Sequence, residues 1–330
     1  MTQPLAVVGI GNALVDVIAT ADDAFLDREL LVKGSMSLVD AERAESLYAA
    51  MGPAVEMSGG SAANTMAGIA SLGGRGAFLG RVRDDQLGTV FAHDIRAVGV
   101  EYPCEPAHAG PPTGRSLIIV TPDAQRTMST YLGSSSELGP GDVDEDVVAR
   151  AQITYLEGYL FDRDAAKEAF EKAAAVAHSA GARVALTLSD SFCVQRFARE
   201  FRELVAGDVD ILFANEDELA MLYETDVDRA LAEAESTCEI VALTRSAAGC
   251  TIAAGGERHD VPAHQVPRVV DTTGAGDLFA AGFLHGMTIG KDLVTAARIG
   301  SLAAAEVISH LGARPETDLA ELAAALLDEA

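Results

Sequence analysis

The chain has 330 residues, of which 49% are hydrophobic, and a formal net charge of −26 at pH 7. This length suits one large α/β domain, or a large domain with a small one, and is ample for a full core. The acidic balance argues against nucleic acid and anionic membrane as partners, because both require basic surface. Anionic ligands must therefore be captured by local features such as helix N-termini or single arginines.

The N-terminal segment and the cysteines further narrow the class of protein to which the chain can belong. Residues 1–6 contain no basic n-region, and no apolar run approaches the roughly 18 to 20 residues that a membrane span requires. The four cysteines show no Cys-x-x-Cys spacing, so neither a zinc site nor a disulfide framework is indicated. We expect a soluble, cytoplasmic protein.

The first apolar run, residues 5–10, predicts a strand with glycines at its end. A dinucleotide-binding fingerprint is excluded because Leu14 stands where its third glycine should be, and residues 14–19 form a second strand-like run instead of a helix. Asn12 and Asp16 remain at this chain reversal as candidates for holding the hydroxyls of a polyol. Ordinary turn residues are the alternative.

The following elements predict an irregular N-terminal part. A short strand lies within residues 31–40 and a helix at 41–51. The glycine-rich segment 58–64 then runs into a second helix, with Ser61 as a candidate N-cap and Asn64 one turn further on. A strand at 77–82 and a helix at 86–98 follow. Residues 114–121 and 125–132 predict a β-hairpin, with turn signals at Pro122, Asp123 and Ala124.

From residue 142 onward the pattern changes to a regular exchange of strands and helices. The strands are predicted at 153–156, 183–188, 209–213 and 240–244, and the helices at 165–180, 194–205 and 216–223. A hairpin at 249–254 and 257–261 and helices at 291–310 and 318–327 complete the chain. This alternation predicts an α/β fold with a mostly parallel sheet covered on both faces. The extra strands, at about 13–20, 31–40 and 112–132, are assigned to a small β lid on a single domain spanning 1–330.

The stretch 269–283 combines the features of an anion site with an acid. Val266, Val269 and Val270 predict a strand, which a tight loop and a helix follow. The amides of Gly274, Ala275 and Gly276 are expected at that helix N-terminus, where free donors and the helix dipole favour phosphate. Asp277 in the first turn could accept a proton from a hydroxyl while these amides hold developing charge. A glycine-rich turn with an ordinary first-turn acid is the alternative.

Four motifs in order along nearly the whole chain resemble the ribokinase-like (phosphofructokinase-B) carbohydrate kinase family. They are Asp-Thr-Thr-Gly-Ala-Gly-Asp at 271–277, Gly-Gly-Ser-Ala-Ala-Asn at 59–64, an Asn-x-x-Glu motif at 215–218, and a nucleotide strand and loop at 243–249. Segments 11–16, 123–127, 186–192 and 209–216 are most similar to the adenosine kinases within that family. The resemblance implies a three-layer ribokinase-like α/β fold, with a central mostly parallel sheet flanked by helices and a small β lid.

The activity that the resemblance implies is in-line phosphoryl transfer from ATP with Mg²⁺ to a primary hydroxyl. The leading acceptor is the 5′-hydroxyl of adenosine, giving AMP in purine salvage. A sugar kinase of the same family, of the ribokinase, fructokinase or 2-keto-3-deoxygluconate kinase type, is the alternative. Thr273 is the more general family residue, and Met36 stands where a Gln commonly faces the base. A catalytically silent sensor is a third reading, which the intact Asp277 disfavours.

The resemblance also implies a role for each site residue. Asp277 is the general base, Gly274, Ala275 and Gly276 form the anion hole, and Arg126 on the lid neutralises the transferring phosphoryl group. The acceptor residues are Asn12, Asp16, Gly59, Gly60, Ser61 and Asn64, with Tyr159 stacking on an adenine. The nucleotide residues are Asn215, Glu218, Thr244 and Gly249, with Glu218 holding Mg²⁺ through water. Asp271 and Thr273 resemble a monovalent cation site, for which K⁺ is the candidate ion.

For three of these roles, an interpretation without function is the alternative. Arg126 could be a solvated hairpin arginine, Asn215 and Glu218 a solvated first-turn pair, and Tyr159 part of the core. The expected partners are ATP and a small nucleoside or sugar, and the protein is expected to be a monomer or a homodimer.

Overall fold

The computed structural model describes residues 3–123 and 125–328. Ala124, in the predicted hairpin turn, lies outside the described residues, as do residues 1–2 and 329–330. Within the described part of the chain, no helix is long and apolar enough to cross a membrane.

Strands and helices alternate along most of the chain. The strands are β1 (Leu5–Ile10), β2 (Leu14–Thr20), β3 (Met36–Leu38), β4 (Ala54–Gly59), β5 (Gly76–Leu79), β6 (Gly114–Val120), β7 (Arg126–Tyr131), β8 (Ala151–Glu157), β9 (Arg183–Thr187), β10 (Ile211–Asn215), β11 (Ile240–Thr244), β12 (Cys250–Ala254) and β13 (Glu257–Val261). The helices are α1 (Asp23–Arg28), α2 (Ala41–Ala50), α3 (Ser61–Ser71), α4 (Gln86–Ala97), α5 (Glu145–Ala149), α6 (Asp164–Ser179), α7 (Ser191–Asp208), α8 (Glu216–Tyr223), α9 (Val227–Glu235), α10 (Ala275–Thr288), α11 (Leu293–Val307) and α12 (Leu319–Asp328).

An eight-stranded sheet forms the centre of the molecule, in the order β13-β12-β11-β10-β9-β8-β1-β5. The six strands from β11 to β5 are parallel, and β12 and β13 add an antiparallel edge. Its central strands read as continuous apolar runs because helices cover both faces, and the two hydrophobic clusters lie on opposite sides of the sheet. The predicted three-layer α/β fold is confirmed.

Helices α3 and α10 pack unusually closely. A Cβ built on Gly68 of α3 would lie 2.6 Å from both the Ala281 Cβ and a Leu278 methyl of α10. A larger side chain at Gly68 would therefore push the two helices apart. This contact fixes the two helix N-termini side by side.

A smaller five-stranded sheet has the order β3-β7-β6-β2-β4. The predicted lid lacked β4, which pairs antiparallel with β2 along its length. One face of the small sheet is covered by α1 and α2, whose Phe25, Leu26 and Leu47 belong to the same buried cluster as Val15 and Val17. Residues on the opposite face point away from these helices, because side chains alternate along a strand.

The predicted strand at 266–270 is wrong. Residues 262–273 form no strand, and Val269 is 51% exposed. The Val270 amide donates to the Ile308 carbonyl at the end of α11 at 2.8 Å. β-branched residues favour a strand only where a neighbouring strand is available to pair. This segment instead crosses from the sheet edge to α10 over the end of α11.

Candidate active site

The predicted site residues gather at the carboxyl edge of the parallel strands. Asn12 follows β1, Tyr159 follows β8, Asn215 ends β10 and Thr244 ends β11. Ligands of open α/β sheets bind at this edge. The N-termini of α3 and α10 and one face of the small sheet border the same region.

Asp277 lies where the N-termini of α3 and α10 meet. Its Oδ1 accepts a hydrogen bond from the Ser61 hydroxyl at 2.6 Å, and its Oδ2 accepts one from the Asn64 amide at 3.0 Å. Burial raises the pKa of the Asp277 carboxyl, while these two donors and the nearby Arg314 guanidinium oppose the rise. The carboxylate is thus oriented by two neutral donors and is half-buried, as a general base requires.

The N-terminus of α10 presents free amides beside this carboxylate. Gly274 caps the helix with φ 78°, and a Cβ there would lie 2.9 Å from the Ala313 Cα, so only glycine fits without strain. Among the described residues, nothing accepts from the amides of Gly274, Gly276 and Asp277. The Ala275 amide, which was predicted as a third donor, already donates to the Thr272 carbonyl at 3.3 Å. Open space surrounds Gly276, so a phosphate can approach these donors.

Asp16 faces this region from β2. A Cβ on Gly59 would collide with its carboxylate, so the glycine is needed for the close approach of β4. Burial raises the pKa of Asp16 to about 6; Arg126 and Arg314 lower it, and Asp277 raises it further. No donor among the described residues bonds the Asp16 carboxylate, which leaves both oxygens available for the hydroxyls of a ligand.

Asn12 and Gly60 help to position the start of α3 beside the pocket. The Asn12 amide donates to Glu157 Oε1 at 2.8 Å, and the Ala62 amide donates to Glu157 Oε2 at 2.8 Å. Gly60 is the N-cap of α3 and brings no side-chain cap, so the Glu157 carboxylate satisfies that helix terminus instead. Glu157 is a residue whose role sequence reasoning missed. The available signal was a charged residue at the end of an otherwise apolar strand.

Arg126 does not lie in solvent. Its Nη1 donates to Asp271 Oδ2 at 2.6 Å, and the exposed fractions of the two side chains are 7% and 4%. The same carboxylate accepts from the amides of Gly312 and Thr273, each at 3.0 Å. The ion pair therefore joins the small sheet to the loop that precedes α10, next to the free amides.

Asn215 and Glu218 bond each other across the start of α8. The Glu218 carboxylate accepts from the amide nitrogen and the side-chain amide of Asn215, at 2.9 and 2.7 Å. The Glu218 amide in turn donates to Asn215 Oδ1 at 2.8 Å, which completes a capping box. Burial raises the pKa of Glu218 to about 7. Each carboxylate oxygen keeps a lone pair, so this donor set fits Mg²⁺ held through water.

Thr244 ends β11, and Gly249 lies in the turn between β11 and β12. The Thr244 hydroxyl donates to the Ala214 carbonyl at 3.4 Å. Gly249 adopts φ 93°, and a side chain there would collide with residues 261–263. That loop lines a cavity of about 410 Å³ together with His264, Arg298 and Ser301.

Tyr159 is half-buried just beyond β8. Its ring packs against the second hydrophobic cluster, and burial raises the pKa of its hydroxyl well above the usual value. Tyr159 therefore lies at the carboxyl edge and also packs partly against the core. Stacking on an adenine stays a prediction.

Arg314 is the second residue that sequence reasoning missed. Its guanidinium donates to the carbonyls of Ala63 and Ser58, at 3.1 and 2.8 Å, and to the Ser58 hydroxyl at 2.9 Å. Burial lowers its pKa to about 10, and the nearby Asp94, Asp16 and Asp277 oppose this effect. No local pattern around residue 314 signals this, because its partners lie about 250 residues earlier in the chain.

The buried carboxyls of the site predict a pH-dependent stability. Burial raises the pKa of Asp16 to about 6 and that of Glu157 to about 7. The folded state then keeps protons that the unfolded carboxyls release near pH 4. The free energy of unfolding is therefore expected to fall as pH rises from about 4 to about 7. Urea unfolding at several pH values measures this.

Two isosteric variants separate this effect from the overall negative charge. Glu157→Gln removes a buried carboxyl and Glu168→Gln an exposed one, with the same change in net charge. We expect a flatter pH dependence for Glu157→Gln only. An equal flattening in both variants would show that general charge repulsion is responsible.

Comparison with known proteins places the chain in a family. The pattern described as pfkB family carbohydrate kinase matches residues 28–319. The chain therefore belongs to the PfkB family of carbohydrate kinases, and it is a phosphotransferase with an alcohol group as acceptor.

Solved structures and curated relatives within this family include both nucleoside and sugar kinases. A probable sugar kinase protein from Rhizobium etli CFN 42 is 52% identical, with a TM-score of 0.92 and coverage of 99% of both chains. The adenosine kinase from Sinorhizobium meliloti is 53% identical, with a TM-score of 0.91, covering 98% of this chain and all of that one. An ATP-dependent ribose-1-phosphate kinase from Halopiger xanaduensis is 29% identical over 83% of this chain and 88% of its own length.

Proposed function

We propose that the protein is an adenosine kinase, which transfers a phosphoryl group from ATP to the 5′-hydroxyl of adenosine and gives AMP. The observation that carries the acceptor is the apolar face of the small sheet beside Asp16. The similar protein from Sinorhizobium meliloti, named as an adenosine kinase, agrees with this choice. In the cytoplasm, the proposed location, such an enzyme would serve purine salvage.

The apolar face follows from strand register. Ile18 lies two residues from Asp16 and shares its face of β2. Ile18 pairs with Ile118 of β6, Ile118 with Met128 of β7, and Met128 with Met36 of β3. These four side chains therefore form one row across the sheet. Ile118 itself is buried, so the half-buried side chains on either side of it would offer a flat base a surface without unpaired polar groups.

A free sugar fits this face less well. The polar residues nearest Asp16 on the row's face are Ser116 and Thr130, and their hydroxyls bond each other at 3.0 Å. Hydroxyls of an open or cyclic sugar beyond the diol would lie against Ile118 and Met128 without partners, which is unfavourable. A ribose that carries a base places only its diol at Asp16. A sugar kinase remains the second candidate, which the probable sugar kinase from Rhizobium etli favours.

The chemistry is assigned to residues with the matching geometry. Asp277 takes the proton from the attacking hydroxyl, held by Ser61 and Asn64. The amides of Gly274 and Gly276, with that of Asp277 itself, hold the oxygens of the transferring group. Arg126 adds a positive charge on the lid side. The small sheet covers this region and excludes water.

ATP is assigned to the far side of α10. Its phosphates would lie at the free amides, and its base in the cavity lined by Ser301 and by the loop 261–263, against which Gly249 packs. Glu218, bonded by Asn215, would hold Mg²⁺ through water, and Mg²⁺ supplies charge neutralisation on the phosphates.

The K⁺ site is a separate proposal. The Asp271 carboxylate already accepts hydrogen bonds from Arg126 and from two backbone amides, so K⁺ would bind there by displacing Arg126. Comparison of turnover in KCl with turnover in choline chloride tests this.

A panel of acceptors tests the proposed function. ADP release is measured with adenosine, ribose, fructose and 2-keto-3-deoxygluconate at equal concentrations, and the product is identified by mass. We expect turnover of adenosine to AMP and little or none of the free sugars. Turnover of a free sugar without phosphorylation of adenosine would replace this proposal with the sugar kinase.

Ile18→Asn tests the apolar row directly, because Ile18 is half-buried whereas Ile118 is buried. The added amide has no partner on this face, so stacking of a base against it becomes less favourable by about 1 to 3 kcal/mol. We expect KM for adenosine to rise about tenfold or more, with KM for ATP unchanged. Val55→Asn is no suitable control because Val55 pairs with Ile18 and shares this face; Ile289→Asn, the same substitution at the 49% exposed C-terminal end of α10, is the matched one. Equal effects of both variants on KM would contradict a base on this row.

A further inference from the structure

We propose that Arg314 is a positioning residue for both acceptor-side carboxylates. It would brace the segment that holds Asp277 and place a fixed positive charge beside Asp16 and Asp277. This inference rests on the proposed kinase function and adds to it a residue outside the family motifs quoted above.

The bracing is visible in the hydrogen bonds. Arg314 bonds the Ser58 carbonyl on one side of the glycine-rich segment and the Ala63 carbonyl on the other. Between these two anchors lie Gly59, against which Asp16 packs, and Ser61, which donates to Asp277. Asn64, the second donor to Asp277, follows Ala63 directly. One guanidinium thus clamps the segment that orients both carboxylates.

A second contact fixes the far end of the clamp. The Ser58 amide and hydroxyl both donate to Asp94 Oδ2 of α4, at 2.7 and 2.5 Å. Arg314, Ser58 and Asp94 therefore form a connected network that links the C-terminal loop, β4 and α4. The small sheet and the large one are both held to this point, because β4 belongs to the small sheet and α4 packs in the large core.

The charge of Arg314 also has a function that a brace alone does not need. Its Nε is buried without a hydrogen-bond partner among the described residues. A buried guanidinium with an unpaired donor is unfavourable for folding, so neutral residues could hold a loop at lower cost. The positive charge opposes the burial that raises the pKa of Asp16 and Asp277. Asp277 can act as a base only while ionised.

Other titratable groups face the same carboxylates. They are Arg126 near Asp16, Glu157 near Asp277, and the buried hydroxyls of Tyr155 and Tyr159 near Asp277. Arg126 is held by its ion pair with Asp271, and its charge lowers the pKa of Asp16. Among the described residues, Arg314 is the cation that lowers the pKa of Asp277.

The pH profile of kcat/KM for the acceptor tests the proposal. In Arg314→Met we expect the acid limb to move up by about one pH unit, because an opposite charge within a few ångströms lowers a carboxyl pKa by about 1 to 3 units. In Arg314→Lys the charge is kept and the fork of hydrogen bonds is lost. That variant should keep the wild-type acid limb while KM for the acceptor rises.

Arg96→Met is the matched control. Arg96 also bonds a backbone carbonyl with two nitrogens, that of Tyr102, but on α4 away from the carboxylates. It should lower thermal stability without moving the acid limb. Circular dichroism of each variant establishes whether it is folded. If Arg314→Met does not fold, the pH profile of Arg314→Lys carries the test.

The outcomes separate this inference from the function on which it rests. Absence of turnover by the wild type with every acceptor overturns the proposed function and the role of Arg314 with it. Wild-type turnover together with an unmoved acid limb in folded Arg314→Met overturns the charge role alone. A displaced acid limb in Arg314→Lys as well would do the same, because the charge is then not what sets the limb.

Discussion

Asp277→Asn is expected to lower turnover by about two to four powers of ten, the scale that a general base contributes. An amide has the shape of the carboxylate and can still accept from Ser61, but it cannot take the proton of the attacking hydroxyl. Nucleotide binding should persist, since the free amides of Gly274 and Gly276 are unchanged. Steady-state kinetics and calorimetric titration with ATP measure the two effects separately.

Asp292→Asn supplies the control for this variant. Asp292 is another acid at a helix N-terminus, where it caps α11 by accepting from Thr295. The substitution makes the same change in net charge away from the site. Turnover of Asp277→Asn close to that of Asp292→Asn would remove Asp277 from the role of base.

Arg126→Met is expected to have the second largest effect, a loss of about 10³ in kcat, as for arginines that stabilise a transferring phosphoryl group. The same change leaves the Asp271 carboxylate buried with only two amide donors. Breaking one partner of a buried ion pair destabilises a protein by about 3 to 5 kcal/mol. Both turnover and the urea unfolding midpoint are therefore expected to fall.

A double variant separates the two consequences. Arg126→Met with Asp271→Asn removes both charges of the pair, so stability should recover relative to Arg126→Met alone. Turnover should remain low if Arg126 acts on the phosphoryl group. Recovery of turnover together with stability would show that the arginine only holds the small sheet in place.

The central sheet and the anion site could be predicted from the sequence because both depend on local patterns. Apolar runs specify buried parallel strands where they alternate along the chain with segments of helical periodicity. A glycine followed by apolar residues at helical spacing places Asp277 in a first turn wherever the helix goes. The motif resemblance then supplied the family, which the match over residues 28–319 confirms.

Two predictions failed where a strand depends on its partner. Residues 54–59 contain Glu56, Ser58 and Gly59 and have little strand propensity, yet they form β4 because β2 offers its edge. Residues 266–270 have high strand propensity and form none, and the Val270 amide donates instead to the Ile308 carbonyl at the end of α11. Propensity is a property of a segment, whereas pairing is a property of the fold.

By itself the sequence determined the α/β class, most strands of the central sheet, the position of Asp277 on its helix and the family of the protein. Only the tertiary structure decided what surrounds that carboxylate. Ser61 and Asp277 are 216 residues apart, Arg126 and Asp271 are 145 apart, and Arg314 reaches back 256 residues to Ser58. The physical reason is one of range: helix starts follow from interactions within a few residues, whereas these contacts exist only once α3, α10 and the two sheets have packed together.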